Sequence, residues 1–236
     1  VDNNVHIGDF YKTIKNKAEY YIVLTIEEEK PIDPQIIYNK ETERKKNLLT
    51  KAFLPKKFEK LVLSTDNFIV KKGTGKSVIA GYHWFGDWGR DTLISLPGLT
   101  LVTKRFNDAK QILQTFNKHC RDGLIPNAFM DRDSQPIYNT VDASLWYIDR
   151  VFQYLKYTND QEFLTNIWNT LESIIQGYKN GTYYNIHMDE DYLISHDPGL
   201  TWMDVKINDQ YVTPRAKKAV EIQALWYNAL RIMSLL

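Results

Sequence analysis

The sequence predicts a mainly α-helical protein, and two observations support that prediction. After residue 88, apolar residues recur at the three- and four-residue intervals of an amphipathic helix in several successive segments. Most of these segments follow a loop in which polar and aromatic residues are concentrated, such as L-I-P-N-A-F and L-T-W-M-D. Loops on a rigid helical scaffold commonly carry binding and catalytic residues, so we expect the functional residues to lie in them.

The first thirty residues differ from the remainder. The run from Tyr20 to Ile26 is rich in β-branched and aromatic residues, which predicts a strand. From Pro34 to about Phe53 the pattern becomes helical, with apolar residues set among many charges. We therefore divide the chain into a short β-containing segment, residues 1–30, and a helical domain, residues 31–236.

The first helix after residue 88 is predicted from Asp91 to Arg105, with Pro97 near its first turn or at a kink. A last helix is predicted from about Ala216. Between them, residues 181–203 are predicted to be loop or short strand.

Three further helices are predicted to begin at short polar residues of the kind that cap a helix, namely Asn107, Thr140 and Asp160. Their apolar residues repeat with helical spacing and predict the buried faces. These faces are Ala109, Ile112, Leu113 and Phe116 in the first, Leu145, Ile148, Phe152 and Leu155 in the second, and Leu164, Ile167, Trp168, Leu171, Ile174 and Ile175 in the third.

Composition excludes several classes of function. The net charge of +1 provides no electrostatic attraction for nucleic acid or an anionic membrane, so we expect neither as a partner. No apolar run approaches the roughly 18 residues of a membrane span. The single cysteine, Cys120, is compatible with a reducing compartment, and we expect a cytoplasmic protein.

We expect no cofactor and no metal. The string G-T-G-K-S at residues 73–77 resembles a phosphate-binding loop, but Val70 stands where that motif needs its first glycine. The five histidines show none of the spacings typical of a zinc site.

The most informative stretch runs from Ala80 to Thr92 and places four aromatic rings, two aspartates and an arginine within thirteen residues. A sugar pocket needs flat apolar faces together with ionised groups that bind hydroxyls. Arg90 supplies fixed donors, and Asp91 can accept hydrogen bonds from neighbouring hydroxyls. The alternative is a buried ion pair at the start of a helix.

Five strings resemble, in order, the C-terminal amylo-α-1,6-glucosidase domain of glycogen debranching enzymes of the archaeal and bacterial type. They begin with A-G-Y-H-W-F-G-D-W-G-R-D, followed by G-L-I-P-N-A-F, Y-N-T-V-D-A-S-L-W-Y-I, L-T-W-M-D-V-K-I and T-P-R-A-K-K-A-V-E-I-Q-A-L-W-Y-N-A-L. The resemblance implies an (α/α)6 barrel like that of glucoamylases, and residues 1–30 resemble the end of the family's β-rich N-terminal domain.

The resemblance also implies an inverting glycoside hydrolase that cleaves α-1,6-linked glucose at branch points of glycogen or limit dextrin. Inversion needs a protonated acid and a carboxylate base about 6.5–9.5 Å apart. Asp204 is the expected general acid, because Trp202 and Met203 beside it would favour its protonated form by desolvation. The alternative role for Asp204 is to cap a turn.

The resemblance implies that Arg90 and Asp91 hold the hydroxyls of the terminal glucose. Trp88 and Trp202 offer stacking faces, and Trp146 shares a helical face with Asp142. Glu221 is expected either to touch the sugar or to pair with Arg215 or Lys217. The remaining expected substrate-binding residues are Asp87, Asn127, Asn139 and Asp142.

A barrel of this kind has twelve helices, and we predict about six, so we expect only the first half of the barrel. The resemblance places the base, a glutamate, in a region that this chain lacks. We therefore expect the chain alone to be inactive, with the other half supplied by a downstream segment, a second chain or a homo-oligomer. If Glu221 is the base instead, the chain alone should be active.

Two other functions remain open. One is a related trehalase- or glucoamylase-like hydrolase with a different linkage preference. The other is a carbohydrate-binding fragment that holds sugar without cleaving it. The expected partner in every case is a sugar, and for the favoured function it is glycogen or another branched α-glucan.

Overall fold

The computed structural model describes residues 8–9, 11–14, 20–22, 33–81, 85–129 and 135–236. The chain divides into two compact units, Val1–Lys45 and Lys46–Leu236. The strand predicted at residues 20–26 lies mostly outside the described residues, and residues 20–22 form no regular secondary structure. The boundary predicted at residue 30 also lies outside them and stays a prediction.

In the first unit, the described residues include the start of helix α1 (Pro34–Ala52), which confirms the helix predicted from Pro34. The Asp33 carboxylate accepts a hydrogen bond from the backbone amide of Gln35 at 2.9 Å, as expected of a capping residue. The Tyr21 hydroxyl donates to the Gln35 side chain at 2.7 Å.

The second unit is mainly helical, as the sequence predicts. Its described helices are α2 (Glu59–Asp66), α3 (Gly89–Leu96), α4 (Phe106–Lys118), α5 (Ala143–Thr158), α6 (Gln161–Asn180) and α7 (Val220–Leu235). Its strands are β1 (Ile69–Lys72), β2 (Gly75–Gly81), β3 (Phe85–Asp87), β4 (Ala128–Phe129), β5 (Pro136–Ile137), β6 (His187–Met188), β7 (Ile194–Ser195), β8 (Lys206–Ile207) and β9 (Gln210–Tyr211). Among the described residues, no helix is long and apolar enough to cross a bilayer.

Strands β1, β2 and β3 form an antiparallel sheet with β2 in the centre. The first two residues of the G-T-G-K string form the turn between β1 and β2, where Gly73 adopts a positive φ of 55°, and Gly75 and Lys76 begin β2. Lys76 of this string forms an ion pair with Asp108 on α4, so its charge is already matched within the protein. Helix α4 packs on β2, and the Thr115 hydroxyl donates to the Lys76 carbonyl at 2.9 Å.

Helix α5 lies at the centre of the helical packing and contacts α3, α4, α6 and α7. The apolar face predicted for α4 is confirmed, since Ala109, Ile112, Leu113 and Phe116 have no exposed surface. Burial of one such aliphatic or aromatic side chain contributes about 1.5–3 kcal/mol, so this face fixes how α4 rests on its neighbours.

One of the predicted helix starts is confirmed. The Asp160 carboxylate accepts a hydrogen bond from the Phe163 amide at 3.0 Å, at the start of α6. The start predicted at Thr140 is wrong, because Asp142 is the residue that precedes α5, although the Thr140 hydroxyl accepts a hydrogen bond from the Ala143 amide at 3.3 Å. The start predicted at Asn107 is wrong, because Arg105 is the residue that precedes α4.

The helix predicted over residues 91–105 is interrupted after Leu96. A π-helical segment, Pro97–Leu101, follows α3, and the Val102 amide donates to the Pro97 carbonyl at 3.0 Å. Proline has no amide hydrogen and disturbs the preceding turn, which accounts for the change of helix type at Pro97.

Candidate functional site

The start of α3 is fixed against the L-I-P-N-A-F loop. Trp88 is extended and pairs with Ala128, and the Gly89 amide donates to the Asn127 carbonyl at 2.5 Å. A Cβ on Gly89 would lie 2.1 Å from the Pro126 carbonyl oxygen, so only glycine allows this close approach. The approach determines where the following residue, Arg90, projects.

Arg90 joins three of the loops that the sequence singled out. Its Nε and Nη2 atoms donate to the two carboxylate oxygens of Asp142 at 2.6 and 3.0 Å. Nη2 also donates to the Leu200 carbonyl at 3.4 Å, and the Val141 amide donates to the same carbonyl at 2.9 Å. The side chains of Arg90 and Asp142 are 11% and 7% exposed, so water screens this ion pair only weakly.

Asp142 accepts hydrogen bonds from two protein side chains. Besides Arg90, it accepts a hydrogen bond from the Thr140 hydroxyl at 2.6 Å. Arg90 is not fully occupied, since Nη1 has no acceptor among the described residues. The pair therefore holds Arg90 in place and leaves its Nη1 atom without a protein acceptor in the described part of the chain.

Asp91 has an exposed carboxylate with no hydrogen-bond partner in the described part of the chain. It lines a cavity of about 370 Å³ together with Arg90. The rest of the wall is mostly apolar and consists of Phe68, Val78, Ile79, Ala80, Ile94, Ser95 and Leu99. Apolar walls with a few polar groups are typical of small-molecule sites. None of residues 200–204 lines this cavity.

Asp87 is directed into the protein. Its Oδ2 atom accepts hydrogen bonds from Lys72 at 2.6 Å and from Ser77 at 2.8 Å, and it is buried. The Lys72 ammonium lies 3.4 Å from the centre of the Phe129 ring. With these contacts, Asp87 fits the role of a residue that supports its neighbour Trp88 better than the role of a direct sugar ligand.

Asn127 and Asn139 lie next to each other beside the start of α3. The Asn127 side-chain amide donates to Asn139 at 3.4 Å, and Asn127 has no exposed surface. Its Oδ1 atom is buried without a partner among the described residues.

The tryptophans differ in accessibility. Trp88 and Trp202 are 36% and 58% exposed, so each has ring surface that a sugar can contact. Trp146 is half-buried, and the Arg150 guanidinium lies 5.0 Å from its ring centre.

Asp204 is partly exposed and has no hydrogen-bond partner among the described residues. Because the Trp202 ring is largely exposed, it does not provide the apolar enclosure that we expected around this acid. Glu221, on α7, forms an ion pair with Arg215, one of the two partners that the sequence left open.

Cys120 and His119 remain outside this arrangement. Burial raises the pKa of the Cys120 thiol to about 11, so it is protonated near neutral pH. The His119 ring packs edge-on against Phe129 at 5.0 Å, and burial lowers its pKa.

Two contributors were missed by the sequence reasoning, namely the side chain of Lys72 and the backbone carbonyl of Leu200. Thr140 and Arg215 had been named, but only as a helix cap and as a possible partner of Glu221. Lys72 and the Leu200 carbonyl offered no signal, because their contacts depend on residues distant in sequence.

The chain belongs to the amylo-alpha-1,6-glucosidase family, because the sequence model of that family matches residues 63–236. This span includes α3 and the loops that Arg90 joins. A relative is the glycogen debranching enzyme of Saccharomyces cerevisiae, which is 41% identical over 75 residues. The aligned segment is 32% of this chain and 5% of the yeast protein.

Proposed function

We propose that this chain carries part of the active site of an inverting glycoside hydrolase that removes α-1,6-linked glucose at branch points of glycogen or limit dextrin. The observation that carries the proposal is the contact of Arg90 with Asp142 and with Leu200, because it draws the W-G-R-D, Y-N-T-V-D and L-T-W-M-D loops together. Family membership and the yeast relative support the substrate class.

In the proposed mechanism, Asp91 and Nη1 of Arg90 bind hydroxyls of the terminal glucose. Trp88 and Trp202 offer ring faces to the sugar, while Asp142 keeps the guanidinium oriented. Asp204 donates a proton to the leaving oxygen as general acid, and a carboxylate base on the opposite face activates water. The carboxylate of Glu221 is engaged by Arg215, so we do not assign it as the base.

The arrangement of the helices as an (α/α)6 barrel is also a proposal. It is supported by the family and by the way α5 contacts four other helices. Helix α7 exposes Val220, Tyr227, Leu230 and Leu235, and a further helix of a ring or a second chain would cover such an apolar face.

The test is glucose release from a singly branched dextrin, measured with the chain alone and with the segment or partner chain that supplies the base, and recorded by NMR so that the first anomer is seen. Inversion predicts β-glucose first. Asp204→Asn should lower the rate by about 10²–10⁴-fold, as expected for loss of a general acid. Asp209→Asn is the matched control, because Asp209 is an exposed aspartate in the following hairpin.

Two other outcomes would indicate a different function. Faster hydrolysis of trehalose or maltose would indicate a related hydrolase with another linkage preference. Sugar binding that depends on Arg90 and Asp91, without turnover in the chain or with added partner chains, would indicate a carbohydrate-binding role.

A further inference from the structure

The loop that carries Asp204 is fixed at both ends by its backbone. The Leu200 carbonyl accepts hydrogen bonds from Val141 and Arg90, and the Val212 amide donates to the Val205 carbonyl at 3.0 Å. Between these points, the side chains of Trp202 and Asp204 make no hydrogen bond to any described residue. Their orientation must therefore come from other contacts.

Arg215 supplies such a contact. Its guanidinium carbon lies 5.9 Å from the centre of the Trp202 ring, within the range of a cation–π interaction. A planar guanidinium over an indole limits the tilt of the ring, and Trp202 is two residues from Asp204.

Contacts of the neighbouring backbone and of its own side chain fix the position of Arg215. It has a φ of 44°, a conformation that a residue with a side chain adopts only when its surroundings require it. The Gly199 amide donates to the Pro214 carbonyl at 3.1 Å, and the Lys217 amide donates to the His196 carbonyl at 2.8 Å. Its side chain forms the ion pair with Glu221 at the start of α7.

This ion pair is incompletely satisfied. Nε of Arg215, Oε1 of Glu221 and Nε2 of His196 are buried and have no hydrogen-bond partner in the described part of the chain. Buried polar groups usually have a partner, and in the described part of the chain the Trp202 ring is a further neighbour of the Arg215 guanidinium.

The geometry points to Arg215 as a positioning residue that, held by Glu221, orients Trp202 and with it the loop that ends at Asp204. Glu221 then acts through Arg215 and does not bind the sugar. The consequence for catalysis rests on the proposed function, since it assumes that Asp204 is the general acid.

The test that does not need activity uses the indole N–H signals of the six tryptophans in the ¹⁵N-tryptophan-labelled chain. Trp202→Phe identifies the Trp202 signal. We expect Glu221→Gln and Arg215→Met each to move that signal by more than its linewidth. In the Arg215→Met background, Glu221→Gln should move it no further, because Glu221 acts through Arg215.

The matched control is Lys218→Met, which removes one positive charge three residues from Arg215. Lys218 pairs with Asp189 and Asp191, and we expect the Trp202 signal to stay in place. A Trp202 signal unmoved by both Arg215→Met and Glu221→Gln, with the other five signals intact, would overturn the inference. If Arg215→Met does not fold, Arg215→Lys decides, because it keeps the charge and lacks the planar stack.

The kinetic test applies where the wild-type chain releases glucose, alone or with the segment or chain that supplies the base. Arg215→Met should lower kcat about 10–100-fold with KM nearly unchanged, as expected when a catalytic group is misplaced. A raised KM with unchanged kcat would overturn the inference and indicate direct sugar contact. If the wild-type chain releases no glucose even with the segment or chain that supplies the base, the proposed function fails, while the tryptophan signals still decide the role of Arg215.

Discussion

Arg90 and Asp142 form a two-point ion pair, with both carboxylate oxygens of Asp142 facing the guanidinium. Asp142 is also the residue that precedes α5, the helix that contacts α3, α4, α6 and α7. The orientation of Arg90 is therefore tied to the helix with the most neighbours among those described.

Breaking this pair should be costly. Asp142→Asn leaves the Arg90 charge buried without a matching carboxylate, and we expect a loss of about 3–5 kcal/mol in the free energy of unfolding. Arg90→Lys keeps the charge and loses the two-point geometry, so the loss should be about 1–2 kcal/mol. Urea unfolding measures both.

The matched control for this pair is Glu41→Gln, because Glu41 pairs with Arg44 on α1 and both side chains are nearly half exposed. We expect a change within about 0.5 kcal/mol. Equal losses in Asp142→Asn and Glu41→Gln would show that burial does not strengthen the Arg90 pair.

Loss of charge at Asp91 should mainly weaken sugar binding, whereas loss of charge at Asp87 should mainly lower stability. Asp91→Asn should weaken binding of a malto- or isomalto-oligosaccharide about 10–100-fold, because a charged acceptor for hydroxyls is lost. Its effect on stability should stay below about 1 kcal/mol, the scale of its interaction with the helix dipole. Calorimetric titration and thermal unfolding measure the two quantities.

Asp87→Asn should instead destabilise the protein, because Lys72 would remain largely buried without its partner. We expect a loss of about 3 kcal/mol and a smaller effect on sugar affinity than in Asp91→Asn. If Asp87→Asn abolishes binding at full stability, Asp87 is a direct ligand.

Acid should destabilise the protein partly through Asp108. Burial alone would raise the pKa of this carboxyl, but hydrogen bonds and positive charge from Lys76 and Arg105 outweigh burial and lower the pKa. Since the folded pKa lies below the unfolded value of about 3.9, the stabilisation is fully present above that value and is lost as pH falls through the folded pKa.

Asp108→Asn should thus lower the free energy of unfolding by about 2 kcal/mol at neutral pH. The difference from wild type should shrink below about pH 4, as Asp108 becomes protonated in the wild type. Urea unfolding from pH 7 to pH 3 measures this. Asp122→Asn is the control, since Asp122 is well exposed, and a constant difference for Asp108→Asn across this range would contradict the assignment.

Gly89→Ala should be strongly destabilising. The new Cβ would meet the Pro126 carbonyl, and relief of that clash would break the bond between the Gly89 amide and the Asn127 carbonyl. We expect a loss of about 3 kcal/mol. Gly98→Ala, in the π-helical segment with open space around it, should change stability by no more than about 1 kcal/mol, and thermal unfolding compares the two.

The sequence predicted local features well, because local features depend on neighbouring residues. The buried face of α4 and the cap at Asp160 follow from spacing and side-chain chemistry over a few residues. The last helix begins at Val220 instead of near Ala216, and the sequence offered no sign of this. The backbone before it is bonded to residues 196–199, which competes with an earlier helical turn.

The parts of the site that depend on contacts between residues distant in sequence could not be predicted. The pattern indicated that Arg90, Asp91 and Asp142 matter, and it left open whether Arg90 binds sugar or an internal carboxylate. The structure shows that Arg90 pairs with the carboxylate of Asp142 and that its Nη1 atom has no acceptor among the described residues. The role of Asp87 could not be read from its position, because Lys72 and Ser77 reach it only when the three strands of the sheet pair.

The contacts of Arg90 also order the events of folding. Its partners lie 52 and 110 residues further along the chain, at Asp142 and Leu200. Helices α4, α5 and α6 close over short sequence distances and can form early, whereas this junction must wait for distant segments to meet. During synthesis, the Leu200 contact cannot form until that residue has left the ribosome, so this contact forms only after α4, α5 and α6 have emerged.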